Sequence, residues 1–466
     1  MTPPQLPGGT PRLPAIKRGL FRRRPGVDLD LDDIQATVLR RRPEPYYGTH
    51  ALVEVLDAHQ GRQALGLLRE QVASVATPFE SAPAWTAVAI TYPGLVALGV
   101  PESSLATFPR NFREGMAARA RHLRDEGPND QRGWEKPFGT GRVHLAISVY
   151  AASEADWRRR VADYESRLAD FPGLRVVYQQ DFGAQPGDRN AFGYKDVFTQ
   201  PVVEGSGEQP YAGDGQPIKA GEFVLGYPSE TGTALPHPQP DALGRNGTFV
   251  VFRKYHSHVA AFNDYLHRNA KSEEERELLA AKLVGRWRSG APLALAPDRD
   301  DPDLGSDDHR NNDFRYGDDP QGLVTPRGAH IRRMNPRDSQ MSILANVNIR
   351  RIIRRSTTYG TPLPPDVRRD DGKERGLDFI ALGVRAIDNV EFLQSEWVSS
   401  GNFMGLGKER DPMLGLQERG AYFTVPGTPP RRVQGIQSFN TLRGGEYLFM
   451  PSISALEWIA ALSPQD

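Results

Sequence analysis

A chain of 466 residues that balances 58 Lys and Arg against 58 Asp and Glu has no net charge, so no global field draws it to nucleic acid or to an anionic membrane. Having no Cys excludes disulfides, thiolate metal sites, iron-sulfur clusters and a Cys nucleophile, so any metal must be held by His, carboxylate or a cofactor. The length exceeds what one hydrophobic core usually fills, which favours two packed units with room to bury a large cofactor.

Residues 1–30 are rich in Pro, Gly and Arg and read as a flexible basic arm. The run Arg22 to Arg24 is followed by polar and acidic residues instead of an apolar stretch, so it does not read as an export signal, and a cytoplasmic location is expected. Nothing elsewhere reaches the roughly 18 consecutive apolar residues of a membrane span. Residues 31–205 alternate apolar strands with amphipathic helices. HLAISVYA from His144 predicts a strand, EADWRRRVADYESRLADF from Glu154 a helix, and RVVYQQDF from Arg175 a further strand. Gly, Pro, Ser and Thr then dominate residues 206–245, which read as turns and extended linker. Residues 246–466 restart the same order, with GTFVVFRKYH from Gly247 as strand and VAAFNDYLHRNAKSEEERELLAAKLVGRW from Val259 as one long helix. Asp298 to Asp319 is acidic but lacks the ligand spacing of a calcium loop, and reads as a solvated loop. Near the end a strand from Glu446 leads to a terminal helix that Ser452 or Ser454 could cap. The repeated order of strand and helix suggests two α+β units.

Polar groups suited to chemistry fall in three separated segments. NAFGYKDVFTQPVVEG holds Asp196 in a Gly-bearing loop; LVTPRGAHIRRMNPRD holds His330 beyond a turn; NVNIRRIIRRSTTYGTP is a strand-like run with paired arginines. Alone, a His among ten is more often a surface or hydrogen-bonded residue than a ligand, and an Asp in a Gly-Pro loop is usually a turn former. His256 and His258 would share a strand face and could clamp a metal, but no third ligand lies nearby in sequence.

In combination the three segments resemble the dye-decolorising haem peroxidases, whose members carry a distal GxxDG loop, a proximal His in GAHxRxxNPR and a distal Arg in RIxRR. Here GYKDV, GAHIRRMNPR and RRIIRR follow in that order, and GEFVLGYP, TYPGLVALGVPE, NFREGMAARA, FLQSEWVSSGNF and YLFMPSISAL are similar to further family stretches. The likeness runs from about Asp32 to the end and is nearest to the longer, usually signal-less branch. It implies an α+β fold of two ferredoxin-like domains with antiparallel sheets, with one haem b per chain in the C-terminal domain. The implied reaction is reduction of hydrogen peroxide at the expense of dyes or phenols by one-electron steps, with an aromatic electron donor as partner.

Carried over by motif, His330 would be the proximal ligand of the haem iron, its other ring nitrogen donating to an acceptor for which Glu391 and Glu396 are candidates. Asp196 would move a proton between the two peroxide oxygens, and Arg354 would stabilise the charge developing on the departing one. Arg337 would pair with a haem propionate. Leu377 and Phe379 match family positions that wall the distal side, and strand alternation puts both on one face with Asp378 turned away. Alternation also gives Arg350 and Arg354 the same face, so Arg354 is singled out by the motif alone. Two residues depart from the pattern. Val197 stands where the family loop has Gly, and Lys195 could pair with Asp196 and weaken it as a base if their side chains meet. Val197 favours an alternative reading, a haem-binding protein that stores, senses or delivers haem with little peroxidase activity.

Overall fold

The computed structural model describes residues 27–183, 187–196, 199–211, 213–339 and 347–463. Its first half is built from β1 (Tyr47–Val55), α1 (Ala58–Arg69), β2 (Ala84–Ile90), β3 (Leu145–Ala151), α2 (Glu154–Ala169) and β4 (Leu174–Gly183), with strand order β4-β1-β3-β2. Its second half contains β5 (Thr248–Ser257), α3 (Val259–Asn269), α4 (Glu273–Val284), α5 (His330–Met334), β6 (Ile353–Arg354), β7 (Thr357–Gly360), β8 (Arg375–Gly383), α6 (Ala386–Phe392), β9 (Tyr422–Val425), β10 (Arg431–Gln434), β11 (Asn440–Met450) and α7 (Ile453–Ala460). There the order is β11-β5-β8-β6, with β7 also on β8, and β9 and β10 form a separate hairpin. Each half is thus a ferredoxin-like unit with its last strand beside its first. The halves join edge to edge where Ile90 of β2 faces Phe449 of β11, and every named strand pairing is antiparallel.

Local signals account for the elements. Ser153 caps α2 by accepting from the amide of Asp156, two acidic residues fill the first turn, and Tyr164 and Leu168 form the buried stripe. Ser452 caps α7, accepting from the amide of Ala455. β2 and β5 are buried along their whole length, as central strands with both faces covered must be. The long helix expected from Val259 is in fact two, α3 and α4, because Ser272 caps a fresh N-terminus ahead of Glu273, Glu274 and Glu275. Three adjacent acids are more favourable in a first turn than in a helix interior. The segment over 206–245 has little regular structure, yet Phe223, Val224, Leu225 and Tyr227 are buried in a core shared by both halves.

The run around Arg350 is likewise not one strand. Asn348–Arg350 form a 3-10 turn ahead of the two-residue β6, so Arg350 and Arg354 do not share a face by strand alternation. Arg350 lies over the Phe392 ring at 4.0 Å, whereas Arg354 faces Ala381 of β8.

One side of the sheet gathers rings from both halves: His50 stands 5.5 Å from Phe252, and Phe138 stands 5.8 Å from Phe252 and 5.2 Å from Tyr178. Asp378 is fully buried next to this aromatic layer, opposite Lys254 in register, and neither carboxylate oxygen has a hydrogen-bond partner among the described residues. Lys254 turns instead to Glu135, at 2.7 Å. Burial pushes the Asp378 carboxyl up to about 7; Lys254 opposes this and Glu135 adds to it. An unfolded Asp titrates near 4. The folded state therefore binds this proton more tightly, and its contribution is fully present below about pH 4 and lost as pH rises through about 7. Asp378→Asn should melt above the parent, by on the order of 2–4 kcal/mol at pH 8 and by much less at pH 4. Thermal unfolding at both pH values checks this; an equal gap at the two would refute the buried acid.

Candidate active site

The loop carrying Asp196 closes on itself through an antiparallel bridge between Arg189 and Lys195 and a 2.9 Å bond from the Asp196 amide to the Asp188 carbonyl. Asp196 Oδ2 accepts from Arg42 Nη2 at 2.5 Å, an ion pair whose arginine is almost wholly buried. Lys195 does not pair with Asp196. Its Nζ lies near the Gly305 carbonyl and Ser306 Oγ, because neighbouring residues in extended chain point to opposite sides. Val197 lies outside the described residues.

Arg354 is brought to the same place by β6. Gln200 ties the two segments together, its Oε1 accepting from the Arg354 amide at 3.0 Å and its Nε2 donating to the Arg354 carbonyl at 3.0 Å. Arg354 Nη2 donates to the Thr199 carbonyl at 3.2 Å. Burial lowers the ionisation of its guanidinium, Asp196 counteracts this and Arg42 adds to it, so these three charges sense one another. Directly opposed residues of an antiparallel pair share a face, which sets Arg354 on the side of β8 occupied by Ala381, Phe379 and Leu377. Leu377 and Phe379 are half-buried there, and Asp378 is turned away as alternation requires.

His330 opens the short helix α5. Its Nδ1 faces the Asp411 carboxylate, 2.9 Å from Oδ2 and 3.1 Å from Oδ1. Asp411 is completely buried, and its Oδ1 also accepts from the amides of Met413 and Leu414. Burial alone would raise this carboxyl, but His330, Arg333 and the Leu414 amide more than offset it and hold the group below its ordinary value. A carboxylate fixed in this way accepts from Nδ1–H, locks the ring and leaves Nε2, which makes no hydrogen bond among the described residues, able to serve as a metal ligand. The arginines following His330 staple α5 in place. Arg333 donates to the carbonyls of Trp397, Glu409 and Gly328, and Arg332 donates to those of Thr325 and Asp319.

Neither candidate for the Nδ1 acceptor serves. Glu391 is paired with Arg119 and accepts from the Tyr447 hydroxyl at 2.9 Å, while Glu396 is half exposed near Arg124. The acceptor, Asp411, lies 81 residues beyond His330, and no local spacing relates the two. Nor did any pattern mark Arg42 as the partner of Asp196.

A third feature is cationic. Arg337 sits in the left-handed region at φ 50°, where non-glycine residues are uncommon, and is clamped by the carbonyls of Asn312 and Phe314 with its guanidinium 3.7 Å from the Phe314 ring centre. With Arg351, Arg315 and Asn335 it lines a cavity of about 150 Å³. Burial pushes Arg351 down to about 10, helped by Arg337 and Arg354, and pushes Arg286 down to about 9, again helped by Arg337 and Arg354. Positive charge here exceeds what Asp214, Asp338 and Asp196 balance, a condition that suits an anionic ligand. Each feature is chemically suited to part of a haem, the oriented imidazole to its iron and the arginines to a propionate. His256 and His258 offer no comparable site: they bond Glu374 and Thr441, and no three potential ligands gather among the described residues.

No protein-family model matches the chain. It is 31% identical over 405 residues to the dye-decolorizing peroxidase msp1 of Mycetinis scorodonius, covering 80% of this chain and 76% of that protein. A dye-decolorizing peroxidase of Exidia glandulosa is 32% identical over 394 residues, covering 79% and 74%. The chain belongs to the dye-decolorizing peroxidase family. Among solved structures, an ancestral D-type dye-decolorizing peroxidase superposes with a TM-score of 0.81 at 28% identity, over 94% of this chain and all of that one. A mutant of the Pleurotus ostreatus dye-decolorizing peroxidase superposes at 0.83 with 26% identity, over 94% and 100%. The α+β fold with antiparallel sheets is therefore that of the dye-decolorizing peroxidases, and the chain is an oxidoreductase that acts on peroxide.

For this peroxidase, Asp411→Ala should weaken haem retention roughly 10–100-fold by releasing the His330 ring. Haem transfer to an acceptor protein, followed at the Soret band, measures the loss; unchanged transfer would show that Asp411 does not orient the ligand.

Proposed function

We propose that the chain is a haem b peroxidase, one haem per chain held by His330 in the unit spanning residues 246–466. Residues 31–205 supply Asp196 across the interface, and residues 206–245 connect the two. Arg337, with Arg351 beside it, receives a propionate. The bound haem would supply the redox centre that takes two oxidising equivalents from peroxide and passes them on singly. In balance, one hydrogen peroxide and two donor molecules, each giving up an electron and a proton, become two waters and two donor radicals.

The chain's own residues manage protons and charge. Asp196 Oδ1 accepts no hydrogen bond among the described residues, so one carboxylate oxygen is available to a proton while Oδ2 is held by Arg42. It takes the proton from one peroxide oxygen and returns it to the other as the O–O bond breaks. Arg354 offers fixed positive charge to the departing oxygen, in surroundings dry enough to depress its own ionisation. Leu377 and Phe379 keep that side of the chamber apolar and narrow. Phenols suit the donor role: a solved dye-decolorizing peroxidase 28% identical to this chain is in complex with 2,6-dimethoxyphenol. The observation that supports the reading is that Gln200 ties the Arg354 backbone next to the Asp196 loop and the two charges sense one another, while Arg354 shares the face of β8 that holds Leu377 and Phe379.

The test is the visible spectrum of haem-loaded protein before and after one equivalent of hydrogen peroxide, then after a phenol or dye. A Soret band that changes with peroxide and returns with donor supports the peroxidase, and a band indifferent to peroxide would favour haem binding without turnover. Asp196→Ala should slow peroxide turnover about 10²–10⁴-fold while haem stays bound. Arg354→Leu should slow it about 10²–10³-fold. Parent rates in both variants would remove these residues from the mechanism.

A further inference from the structure

Asp196 sits on a loop, and a proton shuttle on a loop needs its carboxylate aimed. Arg42 meets that need from outside the loop. It follows a short helix, Ala36–Leu39, and is the third of three consecutive arginines whose side chains go to different places. Arg40 reaches the Thr77 carbonyl and lies over Trp85, Arg41 bonds Glu208 at the rim, and Arg42 turns inward. Its side chain is 5% exposed. Among the described residues, three partners hold the guanidinium. Nη1 donates at 3.2 Å to the carbonyl of Ser356, two residues beyond Arg354; Cζ stands 3.7 Å from the centre of the Tyr46 ring; Nη2 holds Asp196 Oδ2. Tyr46 is itself pinned, its hydroxyl accepting from the Thr358 amide at 3.2 Å and its ring packing on Phe182. Arg42 thus references the Asp196 carboxylate to the same β6–β7 segment that carries Arg354, although the two acting residues come from different halves of the chain.

We infer that Arg42 is a positioning residue for the peroxide reaction: by engaging Oδ2 alone, it holds Asp196 so that Oδ1 faces the substrate and stays in register with Arg354. Arg is suited to this because its planar fork can serve Asp196 and the Ser356 carbonyl while stacking on Tyr46, which an ammonium on a flexible stem does less well. The inference rests on the assignment of Asp196 as the proton shuttle.

The experiment compares Arg42→Leu, Arg42→Lys, Asp196→Asn and the Arg42→Leu/Asp196→Asn double variant, all loaded with haem. Each is measured for Soret absorbance per chain, for the bimolecular rate with hydrogen peroxide, and for the association rate of cyanide, which must shed a proton to bind. Arg42→Leu is expected to keep its haem and to lose about 10–100-fold in both rates, a fraction of the loss that removing a general base causes. Arg42→Lys should recover part of it. In the Asp196→Asn background, Arg42→Leu should cost nothing further, because a residue acting through another loses its effect when that other is gone. Parent rates in Arg42→Leu would overturn the inference, as would an equal loss with and without Asp196, or loss of haem in Arg42→Leu. If Asp196→Asn itself reacts at the parent rate, the assignment of Asp196 fails, and the inference goes with it.

Discussion

An arginine taken out of water keeps its charge, and the places where this chain buries arginine dictate much of the rest. Arg253 is 1% exposed, and its fork closes on Asp125 at 2.6 and 3.0 Å while Nε reaches the Tyr255 hydroxyl, fixing the 120–130 region against β5. Arg333 and Arg332 draw loop carbonyls toward α5, and Arg355 draws those of Thr37 and Val38 toward β6. Each guanidinium has five donors and no way to shed its proton cheaply, so distant segments must come to it. With no cysteine available, these forks are the long-range ties of the fold. Breaking one by removing its carboxylate costs more than the pair contributes, because the cation is left stranded.

The active site uses the same constraint with a different ending. Around Arg337, Arg351, Arg286 and Arg354 the protein gathers more buried positive charge than Asp214, Asp338 and Asp196 balance, and burial depresses the ionisation of each arginine. Such a cluster is costly in the folded chain and is relieved by an anion. A haem held as proposed would supply that anion through its propionates. Asp411 shows the converse: a buried carboxylate made tolerable by the imidazole, the guanidinium of Arg333 and two backbone amides, and for that reason rigid enough to orient a ligand. Asp378, fully buried with no hydrogen-bond partner among the described residues, is the contrasting case, a carboxyl pushed toward neutrality.

Joining two ferredoxin-like units edge to edge explains why polar groups from distant sequence converge. The junction of β2 with β11 makes one sheet, and the aromatic layer on one side of it packs the halves together. With the halves fixed, Arg42 and Asp196 from the first can be set against Ser356 and Arg354 of the second within hydrogen-bonding tolerance.

What the sequence by itself determined was local or motif-borne. Strands such as 145–151, helices such as 154–169, the alternation that turns Asp378 away from Leu377 and Phe379, and the family motifs around Asp196, His330 and Arg354 are all written in consecutive residues, where side-chain period and capping chemistry act. Where local signals competed, the reading failed: Ser272 and three following acids divided an apparently continuous helix, and a 3-10 turn separated Arg350 from Arg354. Only the tertiary structure decided who partners whom. Asp411 for His330, Arg42 for Asp196, and Arg119 and Tyr447 for Glu391 are contacts between residues 56 to 272 positions apart. Such contacts are selected by which buried charge can reach which acceptor once the core has formed, and no spacing along the chain encodes that choice.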